Sequence, residues 1–249
     1  MRLFRILPPR TETCAGIPLP SAPGGLQAGI SLRAAGDLRP GAPARARFFR
    51  ALGSPPMRLY ACRQVHSRRV LVVGGSSPAA AAPEATAEMQ ADGLACDRAD
   101  CLLTVTVADC LPIFVYDRRG GAFALLHSGW QGTGIVTEGV RVLTEQFGAE
   151  PGSLVAVIGP GIGACCYAVD PGRALLFRRK LGGQTVREAP DGRVYLDLRA
   201  ANAALLEAAG VREVHAAAEC TACAEQLFSF RRDGPGFGRM AAFMGAIRR

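Results

Sequence analysis

Three apolar runs of strand length fill residues 101–127, namely CLLTVTVADC, PIFVYD and GAFALLH. Their β-branched and aromatic residues favour strands, and DRRGG at 117–121 supplies a turn between the last two runs. A chain with such runs must bury them in a sheet. We therefore predict a buried meander or hairpin over 101–127.

The rest of the chain adds helices and strands in no regular order. TGIVTEGVRVLTEQFG places its apolar residues on one helical face and closes at Gly148. We predict further strands for RVLVVGG, LVAVIG, RVYLDL, VREVHAAA, LFSFRR and MAAFMGAI, and helices for DPGRALLFRRKLG and RAANAALLEAAG. Because hairpins occur and βαβ alternation does not, the pattern favours an α+β fold with mixed β-sheets and flanking helices.

A single globular domain is expected, since 249 residues with 49% hydrophobic content can bury one large core. Residues 1–45 are rich in Pro, Gly and Ala and show no sustained period. We predict an irregular N-terminal segment there, packed on the domain or partly disordered, ahead of one domain over 46–249. PAAAAPEA at 78–85 is expected to form an exposed loop.

Composition and charge exclude several classes of function. The sequence has no apolar stretch of about 18 residues and no signal peptide at its start, so we expect a cytoplasmic protein without a membrane partner. Its nine cysteines should then be reduced thiols. The net charge of +8 comes mostly from scattered arginines, which favours a small anionic substrate over nucleic acid.

Three residues at predicted strand ends have the chemistry of metal ligands. His66 stands in CRQVHSRR, Cys110 in TVADCLPI and His127 in LLHSGW. Two histidines and a cysteine are a suitable set for a zinc site that leaves the fourth position open. Each residue taken alone is more often structural, and only the fold can bring the three together.

Other motifs are weaker. GPGIGA at 159–164 has the glycines of a dinucleotide loop but is interrupted by Pro160. CTAC at 220–223 is a lone CxxC that lacks two further zinc ligands, and we interpret Cys165 and Cys166 as packing residues. His215, among apolar neighbours in a strand, is expected to be structural.

Five ordered motifs resemble the YfiH-type laccase-domain family, which is also described as polyphenol-oxidase-like and as purine nucleoside phosphorylases. The resemblance spans roughly residues 58–247. The motifs are RQVHS, ADGLACDRADCLLTVTVADCLPI, HSGWQGTG, IGPGIGACCYAV and ECTACAEQLFSFRRDGPGFGRMAAF.

The resemblance implies a YfiH-like fold, similar to that of cytotoxic necrotizing factor, over the 46–249 domain. It implies zinc as the cofactor, with copper possible in vitro, and His66, Cys110 and His127 as its ligands. The implied substrates are phosphate and the purine nucleosides adenosine, inosine, guanosine and methylthioadenosine, with adenosine deaminase as a further activity. The oligomeric state stays open.

Further residues are candidates for the catalytic site. Arg231, Arg232 and Arg239, in a glycine-rich turn, would steer phosphate against the ribose as positive charge develops on the sugar. Gln64 precedes His66 by two residues and would share its face in a regular strand. Asp109 would orient Cys110 or carry a proton. Gly129 and Gly132 would allow a tight turn, and Trp130 would wall the site.

Two positions depart from the family pattern. Gln131 stands where the family usually has Arg or Lys after the tryptophan, and Ala22 stands where the N-terminal arginine is expected. If relatives use those groups to bind phosphate or ribose, this chain would handle another substrate or bind one without turnover.

Three alternatives to the phosphorylase therefore stay open. Cys110 and His127 would suit a thiol hydrolase, such as an enzyme that edits peptidoglycan precursors. A metal-binding protein without turnover would keep the zinc site alone. A polyphenol oxidase is the least favoured alternative, because multicopper oxidation requires more histidines than three.

Overall fold

The computed structural model describes residues 1–6, 9–52, 58–74 and 83–246. Within these ranges it has sixteen strands and six α-helices. The helices are Pro43–Ala51 (α1), Pro83–Glu88 (α2), Ile135–Phe147 (α3), Pro171–Leu181 (α4), Leu198–Ala208 (α5) and Phe230–Asp233 (α6). The first eight strands are Arg2–Phe4 (β1), Pro9–Thr11 (β2), Cys14–Ile17 (β3), Leu26–Ser31 (β4), Arg58–Tyr60 (β5), Val70–Val72 (β6), Gly93–Cys96 (β7) and Cys101–Val107 (β8). The others are Leu111–Asp117 (β9), Phe123–Ser128 (β10), Leu154–Ile158 (β11), Ala168–Val169 (β12), Val186–Glu188 (β13), Val194–Leu196 (β14), Glu213–Ala217 (β15) and Met240–Ala246 (β16).

Two large mixed sheets pack face to face. One has the order β1-β15-β11-β9-β10-β7-β6 and the other the order β2-β3-β4-β16-β8-β5. A third sheet, β12-β14-β13, is small. The main core lies between the two large sheets, where Phe114 and Leu125 of the first pack with Leu103 and Met244 of the second. The α+β class with mixed sheets and flanking helices is confirmed.

Helices cover the outer faces of both sheets. Along β9 and β10 alternate residues point to opposite sides, so Ile113 and Leu126 pack with Ile135 and Leu143 of α3. On the outside of the other sheet, Phe48 of α1 packs against strands β8 and β16. Both faces of the central strands are therefore buried, which explains their continuous apolar runs. In the described part of the chain, no helix is both long and apolar enough to cross a bilayer.

The central prediction for 101–127 is correct in part. Strands β9 and β10 form the expected antiparallel hairpin across the turn at 118–122. Strand β8, however, pairs with β16 and β5 in the other sheet. The apolar run is interrupted at residues 108–110, where Asp109 has a φ of 83° and the chain crosses from one sheet to the other.

Three further predictions of local structure need correction. The segment 1–45 is not irregular: it contains strands β1 to β4, and β4 pairs with β16 inside a large sheet. The strand pattern is hard to recognise in the sequence, because each of these strands is short and Pro and Gly residues lie between them. LFSFRR is not a strand, since Ser229 caps α6 by accepting a hydrogen bond from the Arg232 N–H. Of the loop expected at 78–85, residues 78–82 lie outside the described residues and 83–85 begin α2.

Candidate metal centre and active site

The structure brings His66, Cys110 and His127 together. Their ligand atoms all lie within 4.8 Å of one another. Cys110 Sγ is 3.8 Å from His66 Nε2, and the two imidazole rings are 5.0 Å apart between centroids. The hairpin register explains part of this: Ser128 pairs with Leu111, so Cys110, just before β9, lies beside His127 near the end of β10.

His66 reaches the cluster from a loop and not from a strand. Its φ is 59°, in the left-handed region that non-glycine residues rarely adopt. Only Arg63 of this segment makes a β-bridge, with Gln90. The regular strand in which Gln64 and His66 would share a face is therefore not present, because three successive backbone N–H groups in this loop turn toward one buried carboxylate.

That carboxylate belongs to Asp92, which has no exposed surface. The backbone N–H groups of Val65, His66 and Ser67 donate to it at 3.2, 3.0 and 2.6 Å, and the Ser67 hydroxyl donates at 2.8 Å. His127 Nδ1 lies 2.8 Å from Asp92 Oδ1. Asp92 thus holds the His66 loop and the His127 ring at once.

Asp92 was missed in the sequence analysis, although it lies in the ADGLAC stretch. The available signal was an acid directly before a fully buried strand, where a charge needs partners. Burial would raise the pKa of Asp92, but hydrogen bonds from His127 and Ser67 lower it to about 2. The group is a carboxylate at neutral pH, and its hydrogen bond with His127 Nδ1 orients the ring so that Nε2 faces the cluster.

Electrostatics favours a thiolate at Cys110. Burial would raise the pKa of this thiol, but the neighbouring His127 and His66 lower it to about 6. Burial likewise opposes a charge on His127, whereas Cys110 and Asp92 raise its pKa to about 9. Because the thiolate is the form of cysteine that binds metals, the site has its anionic ligand available at neutral pH.

The donor set fits a metal ion. Tetrahedral zinc has Zn–S and Zn–N bonds of about 2.3 and 2.0–2.1 Å, which place the S and N ligands roughly 3.5 Å apart. The 3.8 Å between Cys110 Sγ and His66 Nε2 is close to that value. Three protein ligands leave one position open, and all three residues line the same cavity.

Gly129 makes this approach possible. A Cβ at that position would lie 2.8 Å from Cys110 Sγ and 3.1 Å from His66 Cδ2. A Cβ at Gly132 would lie 3.0 Å from the Ser67 carbonyl oxygen. The expected tight turn is present at residues 130–134, where the Ile135 N–H donates to the Gly132 carbonyl. Neither glycine has a positive φ, so each is needed for close packing of the backbone against the site and not for a left-handed conformation.

A cavity of about 420 Å³ extends from the cluster. Its walls include the aromatic side chains of Trp130, Tyr167, Phe230 and Phe237. Arginines also line it: Arg173, Arg231 and Arg239. The cavity thus combines the His66, Cys110 and His127 cluster with flat apolar surfaces and positive charge.

Gln64 and Asp109 also line the cavity, but both are engaged with the protein. The Gln64 amide donates to the Thr106 carbonyl at 2.9 Å and accepts from the Thr106 N–H at 2.8 Å. Asp109 accepts from the Thr221 hydroxyl at 2.6 Å and from the Arg231 N–H at 2.7 Å. These contacts indicate positioning: Gln64 fixes the start of the His66 loop, and Asp109 fixes the segment that carries Arg231.

The predicted arginines separate into two groups. Arg231 and Arg239 line the cavity. Arg232 does not reach it: its guanidinium donates to the carbonyl oxygens of Thr221 and Leu227 and pairs with Asp233. Arg232 therefore stabilises the turn and is not placed to contact phosphate.

Arg173 is a cavity arginine that the sequence analysis missed. Its guanidinium stacks over the Trp130 ring at 4.2 Å from the centroid. It comes from the first turn of α4, whose N-cap Asp170 accepts from the Arg173 N–H. No sequence signal marked it, because only the fold brings α4 over Trp130.

The two departures from the family pattern fall outside the cavity lining. Of the described residues, Gln131 is exposed beside the cavity residue Trp130, and Ala22 packs against the core between the two sheets. Positive charge in the cavity comes from Arg173, Arg231 and Arg239 instead.

Comparison with known proteins agrees with the fold and the motifs. The family described as multi-copper polyphenol oxidoreductase laccase matches residues 34–247. The purine nucleoside phosphorylase YlmD of Geobacillus stearothermophilus is 38% identical over 210 residues, which is 81% of this chain and 77% of that protein. A purine nucleoside phosphorylase of Deinococcus radiodurans is 36% identical over 215 residues, or 86% and 80% of the two chains.

Solved structures show the same architecture. The crystal structure of YlmD from Geobacillus stearothermophilus superimposes with a TM-score of 0.85 at 31% identity, covering 98% of this chain and 100% of the other. Bacillus licheniformis YfiH gives a TM-score of 0.82 at 26% identity, covering 95% and 97%. The chain therefore belongs to the laccase-like family of YlmD and YfiH.

Proposed function

We propose that this protein is a zinc-dependent purine nucleoside phosphorylase that also deaminates adenosine. The observation that carries the proposal is one cavity in which the His66, Cys110 and His127 cluster meets aromatic walls and three arginines. Relatives at 38% and 36% identity that are named purine nucleoside phosphorylases support it.

Each part of the cavity suits one part of the substrates. A volume of about 420 Å³ lies within the range of roughly 300–1,000 Å³ that is typical of small-molecule sites. Trp130, Tyr167, Phe230 and Phe237 offer flat apolar surfaces for a purine ring. The arginines offer charge-assisted hydrogen bonds to phosphate.

In phosphorolysis, a phosphate oxygen forms a bond to the ribose C1′ as the C1′–N9 bond breaks and its electron pair leaves with the base. Arg239 and Arg173 hold the phosphate against the sugar, while Asp109 positions the segment of Arg231. In deamination, water adds to the purine C6 and ammonia leaves. Zinc held by His66, Cys110 and His127 would supply Lewis acid chemistry for such steps.

The first test measures products and metal on the same purified sample. Incubation with adenosine, inosine or guanosine plus phosphate is expected to release the free base and ribose 1-phosphate, and omission of phosphate should abolish this release. Adenosine without phosphate should yield inosine and ammonia. Mass spectrometry should find zinc. Zinc without turnover of any nucleoside would favour the silent binding protein and contradict the proposal.

Arg239→Gln tests the phosphate site. Arg239 is exposed and lines the cavity, and its guanidinium lies over the Phe237 ring, 5.4 Å from the centroid. Loss of charged hydrogen bonds worth about 1.5–3 kcal/mol should raise the KM for phosphate roughly 10- to 100-fold. Initial rates at varied phosphate check this, with Arg179→Gln on the exposed side of α4 as the charge-matched control. An unchanged KM would place the phosphate elsewhere.

A second candidate, a thiol hydrolase, is favoured by one specific observation. Asp92, His127 and Cys110 form a connected series in which the carboxylate orients the imidazole and the imidazole faces the thiol. This is the arrangement of a cysteine nucleophile with its base. Zinc bound at Cys110 would suppress such reactivity, since a metal-held thiolate is a poor free nucleophile.

Alkylation of Cys110 separates the two candidates. In metal-stripped protein the thiolate should persist down to about pH 6, because the pKa of Cys110 is lowered to about 6 from 9.0. Iodoacetamide labelling, mapped by peptide mass spectrometry, should therefore show a midpoint near pH 6 at Cys110. Added zinc should block the labelling. Rapid labelling that zinc does not affect would support the hydrolase.

The oxidase alternative gains nothing from the site. The whole sequence has three histidines, and the third, His215, hydrogen bonds Glu213 through Nε2 at 2.9 Å. One two-histidine, one-cysteine set suits a single metal and not a multicopper centre. Copper could replace zinc there in vitro without making this protein a polyphenol oxidase.

A further inference from the structure

A second cluster of possible metal ligands lies outside the cavity and consists of four cysteines. Cys165 and Cys166 belong to the turn after β11, and Cys220 and Cys223 form the CxxC turn after β15. Among the described residues, their four sulfur atoms all lie within 4.8 Å of one another. Cys223 Sγ is 3.7 Å from Cys165 Sγ and 3.4 Å from Cys166 Sγ. The two partners that a lone CxxC lacks thus come from the earlier turn.

These separations match a tetrahedral metal site. Zn–S bonds of about 2.3 Å place neighbouring sulfurs of a tetrahedron roughly 3.8 Å apart. The two turns are held in register without the metal, since Gly161 and Cys220 form a parallel β-bridge and the Thr221 N–H donates to the Gly161 carbonyl. The sulfur atoms are therefore arranged by the backbone.

A backbone donor stabilises negative charge on one of these sulfurs. The Gly163 N–H donates to Cys220 Sγ at 3.2 Å. Arginine side chains bind the carbonyl groups of both turns: Arg187 at Ala164, Arg231 at Cys166, and Arg199 at Gly161 and Glu219. Four thiolates around a divalent ion carry a net charge of about −2, and these three guanidinium groups offset it.

We propose that Cys165, Cys166, Cys220 and Cys223 bind a structural zinc ion, distinct from the site at His66, Cys110 and His127. Four protein ligands complete the coordination, so no position is left for substrate. The inference goes beyond the proposed function and does not depend on it.

The bound ion would stabilise one wall of the cavity. The earlier turn carries the cavity residues Ile162 and Tyr167. The later turn carries Thr221, whose hydroxyl donates to Asp109 directly before the metal ligand Cys110. Zinc between the two turns would thus tie the aromatic wall to the segment that positions Cys110.

Zinc content tests the proposal directly. Protein purified under reducing conditions from zinc-supplemented cells should hold two zinc ions per chain. The double variant Cys165→Ser/Cys223→Ser changes two exposed positions and should lose one, while Cys110→Ala should lose the other. Cys14→Ser, at a β3 cysteine outside both groups, is the matched control and should keep both. An unchanged zinc content in the double variant would overturn the proposal, whatever happens at Cys110.

A measurement on the wild-type protein avoids any folding defect of the variants. Cys165 and Cys223 are exposed, so as free thiols both are accessible to N-ethylmaleimide. Zinc should slow their labelling at least 10-fold until a chelator removes it. Rapid labelling before chelation, or a disulfide among the four cysteines in the purified protein, would also overturn the proposal.

Discussion

Cys110→Ala is expected to remove the metal of the cavity site and to lower kcat/KM for phosphorolysis more than about 1,000-fold. The variant deletes the only thiolate of that cluster, and two neutral imidazoles bind zinc much more weakly than two imidazoles with a thiolate. A Lewis acid contributes several kcal/mol of transition-state stabilisation, and about 4 kcal/mol corresponds to a factor of 1,000. Metal content and base release from inosine measure the two effects.

Cys62→Ala is a suitable control for Cys110→Ala. Cys62 is a buried cysteine whose thiol donates to the Ala91 carbonyl at 3.2 Å, and burial raises its pKa to about 12. This variant should lose some stability but keep its metal and its activity. If Cys110→Ala retained phosphorolysis within a few-fold of wild type, the cluster would not be the catalytic site.

The metal-ligand cluster could be predicted from the sequence, but the carboxylate of Asp92 that holds it in place could not. His66, Cys110 and His127 were identifiable because each stands in a motif of the family that this chain resembles. Asp92 was not, since its role depends on three backbone N–H groups of a loop in which His66 adopts the left-handed conformation. A local pattern does not indicate where such donors point, and only the folded chain brings them to one carboxylate.

In the fold, too, features set by neighbouring residues could be predicted, and features set by contacts distant in sequence could not. Helix α3 was predictable because its apolar face and its closing Gly148 lie within one short window. The partner of β8 was not predictable, since a strand that crosses to another sheet has the same continuous apolar run as one that continues a meander. Strands β1 and β4 were missed because they pair with β15 and β16, more than 200 residues later in the chain.

The same dependence on long-range contacts explains why the four-cysteine cluster was not predicted from the sequence. CTAC lacked ligands when only sequence neighbours were considered, and Cys165 and Cys166 are a pair without an obvious partner. The parallel bridge between Gly161 and Cys220 joins two segments that follow neighbouring parallel strands, β11 and β15. The carboxyl ends of parallel strands meet at one edge of a sheet, so loops distant in sequence become adjacent there.

Asp92→Asn is expected to disturb the positions of both histidine ligands, although it replaces only one oxygen atom by an NH₂ group. One carboxylate oxygen accepts from Val65, Ser67 N–H and Ser67 Oγ, and the other accepts from His66 N–H and His127 Nδ1. An asparagine amide must place its NH₂ group against one of these two sets of donors. Either orientation leaves buried donors without an acceptor, at a cost of about 1–3 kcal/mol each.

The loss should appear in metal binding and in stability. Removing the partner of a metal-binding histidine typically lowers metal affinity about 10- to 100-fold, and we expect a similar decrease in kcat/KM. In wild-type protein the pKa of Asp92 is lowered from 3.8 to about 2, so its stabilising effect is present above about pH 4 and is lost as the pH falls toward 2. The free energy of unfolding of Asp92→Asn should lack this part of the pH dependence.

Asp97→Asn provides the control, because Asp97 directly follows the same strand, β7, and is exposed. It removes the same charge without touching the His66 loop, so its zinc affinity and kcat/KM should match those of wild type. Zinc competition with a chromophoric chelator and urea denaturation at several pH values measure both variants. If Asp92→Asn bound zinc as tightly as Asp97→Asn, the carboxylate would be a packing feature of the loop and not the group that holds the two histidines in place.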